Sequence, residues 1–290
     1  MLSAYFIHLL ILIGIYLILG LSLQLAVGFS GILNLGHIAF FGLGAYTSAL
    51  LAIVGWPFLL CFLAGGLVAM GSGFVLSFLT HRIKGDYLAL VTMGFCFVIY
   101  SLMLNLDSLT RGPLGLPGIP RPEILGFGFD NNFSYLLLVT VIVLATYFLI
   151  KRITDSPFGK LLEAVRDNEL ATKILGKDTF KVKSFSFALS AFFAGLAGSL
   201  YAHYITFIDP SSFSLMQIIP VISIVIVGGL ASLEGTVVAT FVLLLIPEAL
   251  RFVGFPSSIL GPMRQIIYAL FLLLILVFRP KGFWGRIELE

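Results

Sequence analysis

MLSAYFIHLLILIGIYLILGLSLQLAVGFSGILNLGHIAFFGLGAYTSALLAIVGWPFLLCFLAGGLVAMGSGFVLSFLTH, residues 1–81, contains no Asp, Glu, Lys or Arg. No soluble core element runs apolar for that long, and the stretch holds about three membrane spans of 20–25 residues. The rest of the chain agrees: 59% of its 290 residues are hydrophobic and 11% are charged, against about 25% charged in soluble domains. Further hydrophobic segments lie at 86–106, 133–150, 184–208, 214–230, 236–250 and 259–278, after 4–29, 32–54 and 56–80 in the opening stretch. Backbone amides in lipid must be bonded within their own segment, so these are helices. A β-barrel would show short alternating strands, and these runs are apolar throughout. The fold class is all-α: one polytopic transmembrane bundle over 1–290, with about 8–10 spans. The two shortest segments, 214–230 and 236–250, are candidates for broken or re-entrant pieces.

Charge sets the orientation. Arg82 and Lys84 mark one cytoplasmic turn, and Arg279, Lys281 and Arg286 mark a cytoplasmic C-terminus. The segment 107–132 balances Arg111 and Arg121 against Asp107, Glu123 and Asp130, and so faces outward. Nine crossings then place the N-terminus outside. No basic region precedes the first apolar run, so a cleaved leader is not expected. The net charge of +3 gives no basis for nucleic-acid binding. Cys61 and Cys96 sit in apolar stretches with no metal or disulfide spacing.

The water-soluble character gathers in 151–183, KRITDSPFGKLLEAVRDNELATKILGKDTFKVK, which holds 8 of the 17 basic and 5 of the 14 acidic residues. Ser156-Pro157 reads as a helix start, with Ser as cap and Pro at the first helical position. Gly176 reads as a stop. Phe158, Leu161, Leu162 and Val165 form one apolar stripe, and Leu170, Ala171, Ile174 and Leu175 form a second, rotated one. The phase changes at Asp167-Asn168-Glu169, which predicts two short helices or a bent one with an exposed polar elbow. An amphipathic helix on the membrane surface is the simpler reading. Glu163, Asp167 and Glu169 would be repelled by an anionic leaflet, however, and mixed charge suits a protein groove better.

Polar side chains in spans are costly and face protein or water. Gln24, Asn34 and His37 are the candidates for a translocation pathway, because they surround Gly28, Ser30, Gly31 and Gly36, where a helix could break. Bonding between helices is the plainer role for each alone. Ala191, Gly195, Gly198 and Ser199 place small residues at helical spacing and predict close backbone packing. Glu234 fits a cytoplasmic turn. Glu248 and Arg251, three apart, fit a structural pair. His203 and Asp209 lie where an external partner could touch them. TRGPLGLPGIPRP in the outer segment predicts a compact series of turns, either a connector or a lip over the pathway. No catalytic constellation and no metal-ligand cluster stands out.

EAVRDNELATKILG at 163–176 resembles the cytoplasmic loop of the bacterial permease subunits that import branched-chain amino acids, the LivM-type components of ABC transporters. Five further stretches carry the resemblance in the family's order: GFSGILNLGHIAFFGLGAY (28–46), TRGPLGLPGIP (110–120), FALSAFFAGLAGSLYAHYITFIDPSSF (187–213), VGGLASLEGTVVA (227–239) and RPKGFWG (279–285). One departure stands out from the general importer motif. Val165 replaces its second Ala, and Glu169 stands where its Gly would be. The resemblance implies that the loop packs into a cleft of an ATPase subunit. Glu163, Ala164, Arg166, Asn168 and Gly176 would then be coupling residues, with the elbow residues Asp167 and Glu169 beside them.

The resemblance also implies the partners: a homologous second permease, two cytoplasmic ATPase subunits, an extracytoplasmic substrate-binding protein and the lipid of a bacterial cytoplasmic membrane. No GxxxxGK[ST] phosphate loop occurs in the sequence, so no cofactor is expected in this chain; ATP and Mg belong to the ATPase. The implied role is a non-enzymatic permease for branched-chain or other neutral amino acids. Two alternatives are an ABC permease for amides, urea or another small neutral solute, and a self-sufficient ion-coupled transporter. The scarcity of intramembrane acids argues against proton coupling in the last.

Overall fold

A computed structural model describes residues 2–83, 85–124, 126–249, 257–279 and 281–285. Lys84, Arg251 and Arg286, used above for charge and pairing, lie outside the described residues. Helix α1 (Leu2–Gln24) runs directly into a π-helical turn, Leu25–Phe29, and then into an irregular stretch, 30–36. There follow α2 (His37–Ile53), α3 (Phe58–Leu79), α4 (Asp86–Asn105), the single turn α5 (Asp107–Thr110) and α6 (Asn132–Thr154). Next come α7 (Pro157–Asp167), α8 (Glu169–Ile174), α9 (Thr179–Ile205), α10 (Ile218–Gly228), α11 (Leu233–Ala249) and α12 (Ser257–Phe278).

Helices α1 and α9 form the centre. α1 carries apolar residues on every side, as a largely enclosed helix does, and α6, α9, α10 and α11 pack around it. α9 packs chiefly on α2 and α3. Glycine makes that contact close. A Cβ at Gly44 would collide with the Gly195 backbone, and one at Gly195 would stand 2.7 Å from Gly65 O and 2.6 Å from Ala69 Cβ. Gly198 lies against Phe41 O, and Gly73 against Ala191. Ser48 and Ser199 bond across the same seam at 2.6 Å.

Among the described residues, five helical stretches are long and apolar enough to cross a membrane alone: Ala4–Phe29, Phe58–Leu79, Asp86–Asn105, Asn132–Thr154 and Thr179–Ile205. The segment expected at 32–54 is shorter. Residues 30–36 are not helical, since the Asn34 side chain accepts the Gly36 N–H at 3.1 Å and turns the chain. The segment expected at 214–230 follows one 3₁₀ turn, Pro210–Phe213, and begins with another, Leu215–Gln217. It leaves α10 only 11 residues, or about 16 Å against a hydrocarbon core of about 30 Å. Asp209 sets that entry by accepting the Ser212 N–H at 3.2 Å.

The segment 107–132 is tied down by short strands. Leu116–Pro117 pairs antiparallel with Phe207–Ile208, and Glu123–Ile124 with Phe127–Gly128. His203 is buried beneath it. Its ring meets Ser48 Oγ at 2.9 Å and Pro120 O at 2.7 Å, so it offers no surface to an external partner. Glu248 takes a hydrogen bond from the Tyr5 hydroxyl.

Candidate functional site

Both caps of the charged loop follow from local chemistry. The Ser156 hydroxyl accepts the Gly159 N–H at 3.4 Å to open α7, and Asn168 Oδ1 accepts the Ala171 N–H at 2.9 Å to open α8. Asn168 is extended (φ −153°, ψ 94°) and forms the bend between the two helices. At the far end Lys177 N–H reaches Thr172 O and Gly176 N–H reaches Lys173 O. This pair of bonds closes a Schellman motif, and Gly176 supplies its left-handed residue (φ +77°).

The two apolar stripes go opposite ways. Leu162 and Val165 are buried with Leu25 and Val182, beneath Phe158 and Leu161. Leu170, Ile174 and Leu175 are 70%, 79% and 79% exposed. Helix α8 is nevertheless fixed. Thr172 Oγ1 donates to Ala164 O at 3.0 Å, and Glu169 binds Lys183 at 2.8 Å and Thr179 Oγ1 at 3.1 Å. The elbow is therefore split: Asp167 and Asn168 are exposed, whereas Glu169 turns inward to α9. Glu163 is half-buried and Ala164 exposed.

Arg166 also turns inward. Its Nη1 donates to Gly28 O at 2.8 Å, while Nε holds Asp167 at 2.8 Å. Gly28 belongs to the π-turn, whose last carbonyls lack helical partners. Four of them are met: Leu25 O and Ala26 O share the Ser30 hydroxyl, backed by Ser186 Oγ and the Ile32 N–H respectively, Val27 O takes the Gly31 N–H, and Gly28 O takes the guanidinium. A cation at a helical C-terminus also complements the dipole. Arg166 Cγ further lies 2.8 Å from where a Gly31 Cβ would stand, so any side chain there would displace it.

Of the three pathway candidates, the structure brings two together. His37 Nε2 meets Ser22 Oγ at 2.8 Å and Nδ1 meets Asn34 Nδ2 at 3.3 Å. Ser190 Oγ donates to Ser22 O at 2.6 Å. Gln24 points elsewhere, donating to Gly229 O at 2.6 Å and Ser232 O at 3.2 Å. All three are buried inside the chain. Sequence reasoning gave no role to the hydroxyls of Ser22, Ser30, Ser186 and Ser190, which became informative once α1 and α9 were placed side by side. The break is reachable through Gly31 and Leu33, which line a cleft of about 450 Å³ with Thr80, His81, Glu169 and Lys183.

Two other motif stretches, VGGLASLEGTVVA and RPKGFWG, meet at the same end of the bundle. Phe283 N–H donates to Val227 O at 2.8 Å, and Trp284 N–H to Gly228 O at 3.1 Å. Gly229 (φ +98°) packs on Gly285. Glu234 is exposed in the first turn of α11 and reaches Lys151 at 3.8 Å. Outside the membrane-spanning segments, the Lys181 N–H holds the exposed Asp178 carboxyl below its usual range, and Asp178 caps α9. Among the described residues, no three His, Cys, Asp or Glu side chains gather as a metal site.

The family model for the branched-chain amino acid transport system permease component matches residues 5–278. The high-affinity branched-chain amino acid transport system permease protein LivM of Escherichia coli is 35% identical over 294 residues, covering 92% of this chain and 67% of that protein. LivM of Salmonella typhimurium matches to the same extent. LivH of Escherichia coli, also a permease protein of that system, is 22% identical over 95% of this chain and 92% of its own length. No solved structure matches. A multi-pass helical bundle, the loop module at one end and a family match over nearly its whole length agree: the chain belongs to the branched-chain amino acid transport permease family.

Proposed function

We propose that the chain is one permease subunit of an ATP-driven importer for branched-chain or other neutral, hydrophobic amino acids. It forms the translocation path in the cytoplasmic membrane with a homologous second permease. Its N-terminus lies outside, and α7, α8 and the C-terminal segment lie in the cytoplasm. A binding protein delivers the solute, and two ATPase subunits hold the ATP and Mg. The likeness to both LivM and LivH supports a homologous partner, and the relatives' names support the solute class.

One observation carries the ATPase coupling. The loop is anchored inward by Leu162, Val165, Arg166 and Glu169, and it presents Leu170, Ile174 and Leu175 outward on a mixed-charge surface. Exposed apolar residues rimmed by polar ones mark a protein contact. The ATPase grips α8, and the ties from Thr172 and Glu169 pass its movement to α7 and α9. Asn34 and His37 stabilise the break that borders the path, with Gly31 and Leu33 as its accessible part, while Gln24 ties the end of α1 to the turn at Gly229 and Ser232.

Reconstitution tests this. The subunit, with its partner permease, ATPases and binding protein in proteoliposomes, takes up leucine, isoleucine or valine when ATP is supplied to the ATPase side. Uptake driven by an ion gradient without ATPase overturns the reading. Orientation is read by labelling Ile174→Cys and Leu114→Cys, both highly exposed positions, over a background of two buried native cysteines. Labelling of Ile174→Cys from outside intact cells reverses the assignment.

A further inference from the structure

Gln24 stands at the junction of α1 and the π-turn and is fully buried. Its amide nitrogen spans to two carbonyls of the turn between α10 and α11, Gly229 O and Ser232 O. Its Oε1 is buried as well and accepts no hydrogen bond. A Cβ built on Gly28 would lie 2.9 Å from that oxygen and 2.6 Å from the Ala231 nitrogen. Oε1 and Ala231 N thus border the same small space over the Gly28 Cα. Gly28 is also the residue whose carbonyl Arg166 holds. On the far side, the α10–α11 region is gripped by the Phe283 and Trp284 N–H groups. Two of the turn's residues have positive φ, Gly229 at +98° and Ala231 at +59°, and the second is uncommon for a residue with a side chain.

We propose that Gln24 is a positioning residue that passes movement of the α7–α8 loop to the turn between α10 and α11. This rests on the importer reading above. The orphaned oxygen identifies the arrangement as one of two. When Arg166 draws the Gly28 peptide toward the loop, the space between Oε1 and Ala231 N changes, and Oε1 accepts the Ala231 N–H in the second arrangement. A buried acceptor left unpaired disfavours one state relative to another that pairs it, and coupling between sites requires an element with two such states. The amide is suited to this because one end grips the turn while the other reports the position of Gly28. The four stretches GFSG, EAVRD, VGGLASLEG and RPKGFWG then act as one unit.

The test uses the full complex in proteoliposomes. Gln24→Met keeps the length of the side chain and removes both donor and acceptor. The expected result is a complex that assembles and hydrolyses ATP within about twofold of wild type, while solute taken up per ATP falls about tenfold. If the Met variant does not assemble, Gln24→Asn carries the measurement. It keeps an amide but is one methylene too short to hold the turn and face Gly28 together, and the same fall in uptake per ATP is expected. An unchanged ratio in the assembled variant overturns the proposal. So does uptake that falls only in step with the amount of assembled complex. A wild-type complex that does not couple ATP to uptake would remove the importer reading itself, whereas a coupled wild type with an equally coupled variant removes this inference alone.

Discussion

Arg166 Nη1 lies 2.8 Å from Gly28 O, a bond that joins residues 138 apart in the chain and caps the π-turn at the end of α1. The arginine of the charged loop is thus a structural member of the bundle as well as part of the loop.

Arg166→Ala should lower the melting temperature of the purified subunit. A hydrogen bond from a charged donor contributes about 1.5–3 kcal/mol, and the guanidinium is shielded enough to keep much of that, with 16% of the side chain exposed. Arg166→Lys keeps the charge but loses the fork that holds Gly28 and Asp167 together, and should fall between. Thermal unfolding in detergent checks this; an alanine variant that melts with wild type would remove the capping role.

Replacing Leu170, Ile174 and Leu175 together by Ser should leave stability within about 0.5 kcal/mol, because exposed side chains away from packed features seldom matter to folding. The same variant should lose co-purification with the ATPase subunit. Thermal unfolding and pull-down, run side by side, separate the two effects. Retained co-purification would mean that α8 docks nothing.

Glu169 and Lys183 should be energetically coupled. Both side chains are about three-quarters shielded, at 24% and 29% exposure, so a double-mutant cycle with Glu169→Gln and Lys183→Met should give about 1 kcal/mol, the upper end for exposed pairs. The pair Lys181–Asp178, 82% and 50% exposed, should show no measurable coupling. Equal results for both would mean that the latch on α8 is decorative.

Gly198→Leu should abolish accumulation of folded protein, since even a Cβ there meets the Phe41 carbonyl. Gly195→Ala should be destabilising for the same reason, against Gly65 O and Ala69. Gly71, on the exposed side of α3, has nothing within 4 Å of its missing Cβ. Gly71→Ala should therefore be neutral or stabilising by up to about 1 kcal/mol. Expression level and melting temperature of the three variants make the comparison.

Much of the helical architecture was legible because it is written locally. Charge-free runs mark spans, Ser156-Pro157 opens α7, Gly176 closes α8, and the change of phase at Asn168 separates the two. What was not legible depends on partners distant in sequence. LAVGF carries no local sign of a π-turn; two of its carbonyls, Leu25 O and Gly28 O, take bonds from Ser186 and Arg166, more than 130 residues away. The spacing of Gly195 and Ser199 announces a close contact but not that Gly44, Gly65 and Ser48 stand opposite. Helical period likewise marked Leu170, Ile174 and Leu175 as a face without saying that it looks away from the bundle. Glu169 was read as part of an exposed elbow because its counter-charge, Lys183, sits on the next helix.

Helix α9 is a single uninterrupted run of 27 residues, about 40 Å from end to end. Lys183 fastens its first turns to Glu169, and His203 fastens its last turn to the Pro120 carbonyl. With its middle clasped by glycine on α2 and α3, it has no joint at which to dissipate a twist. It behaves as an axle: a twist applied at the Lys183 end must arrive at the His203 end, so the two ends of the bundle turn together.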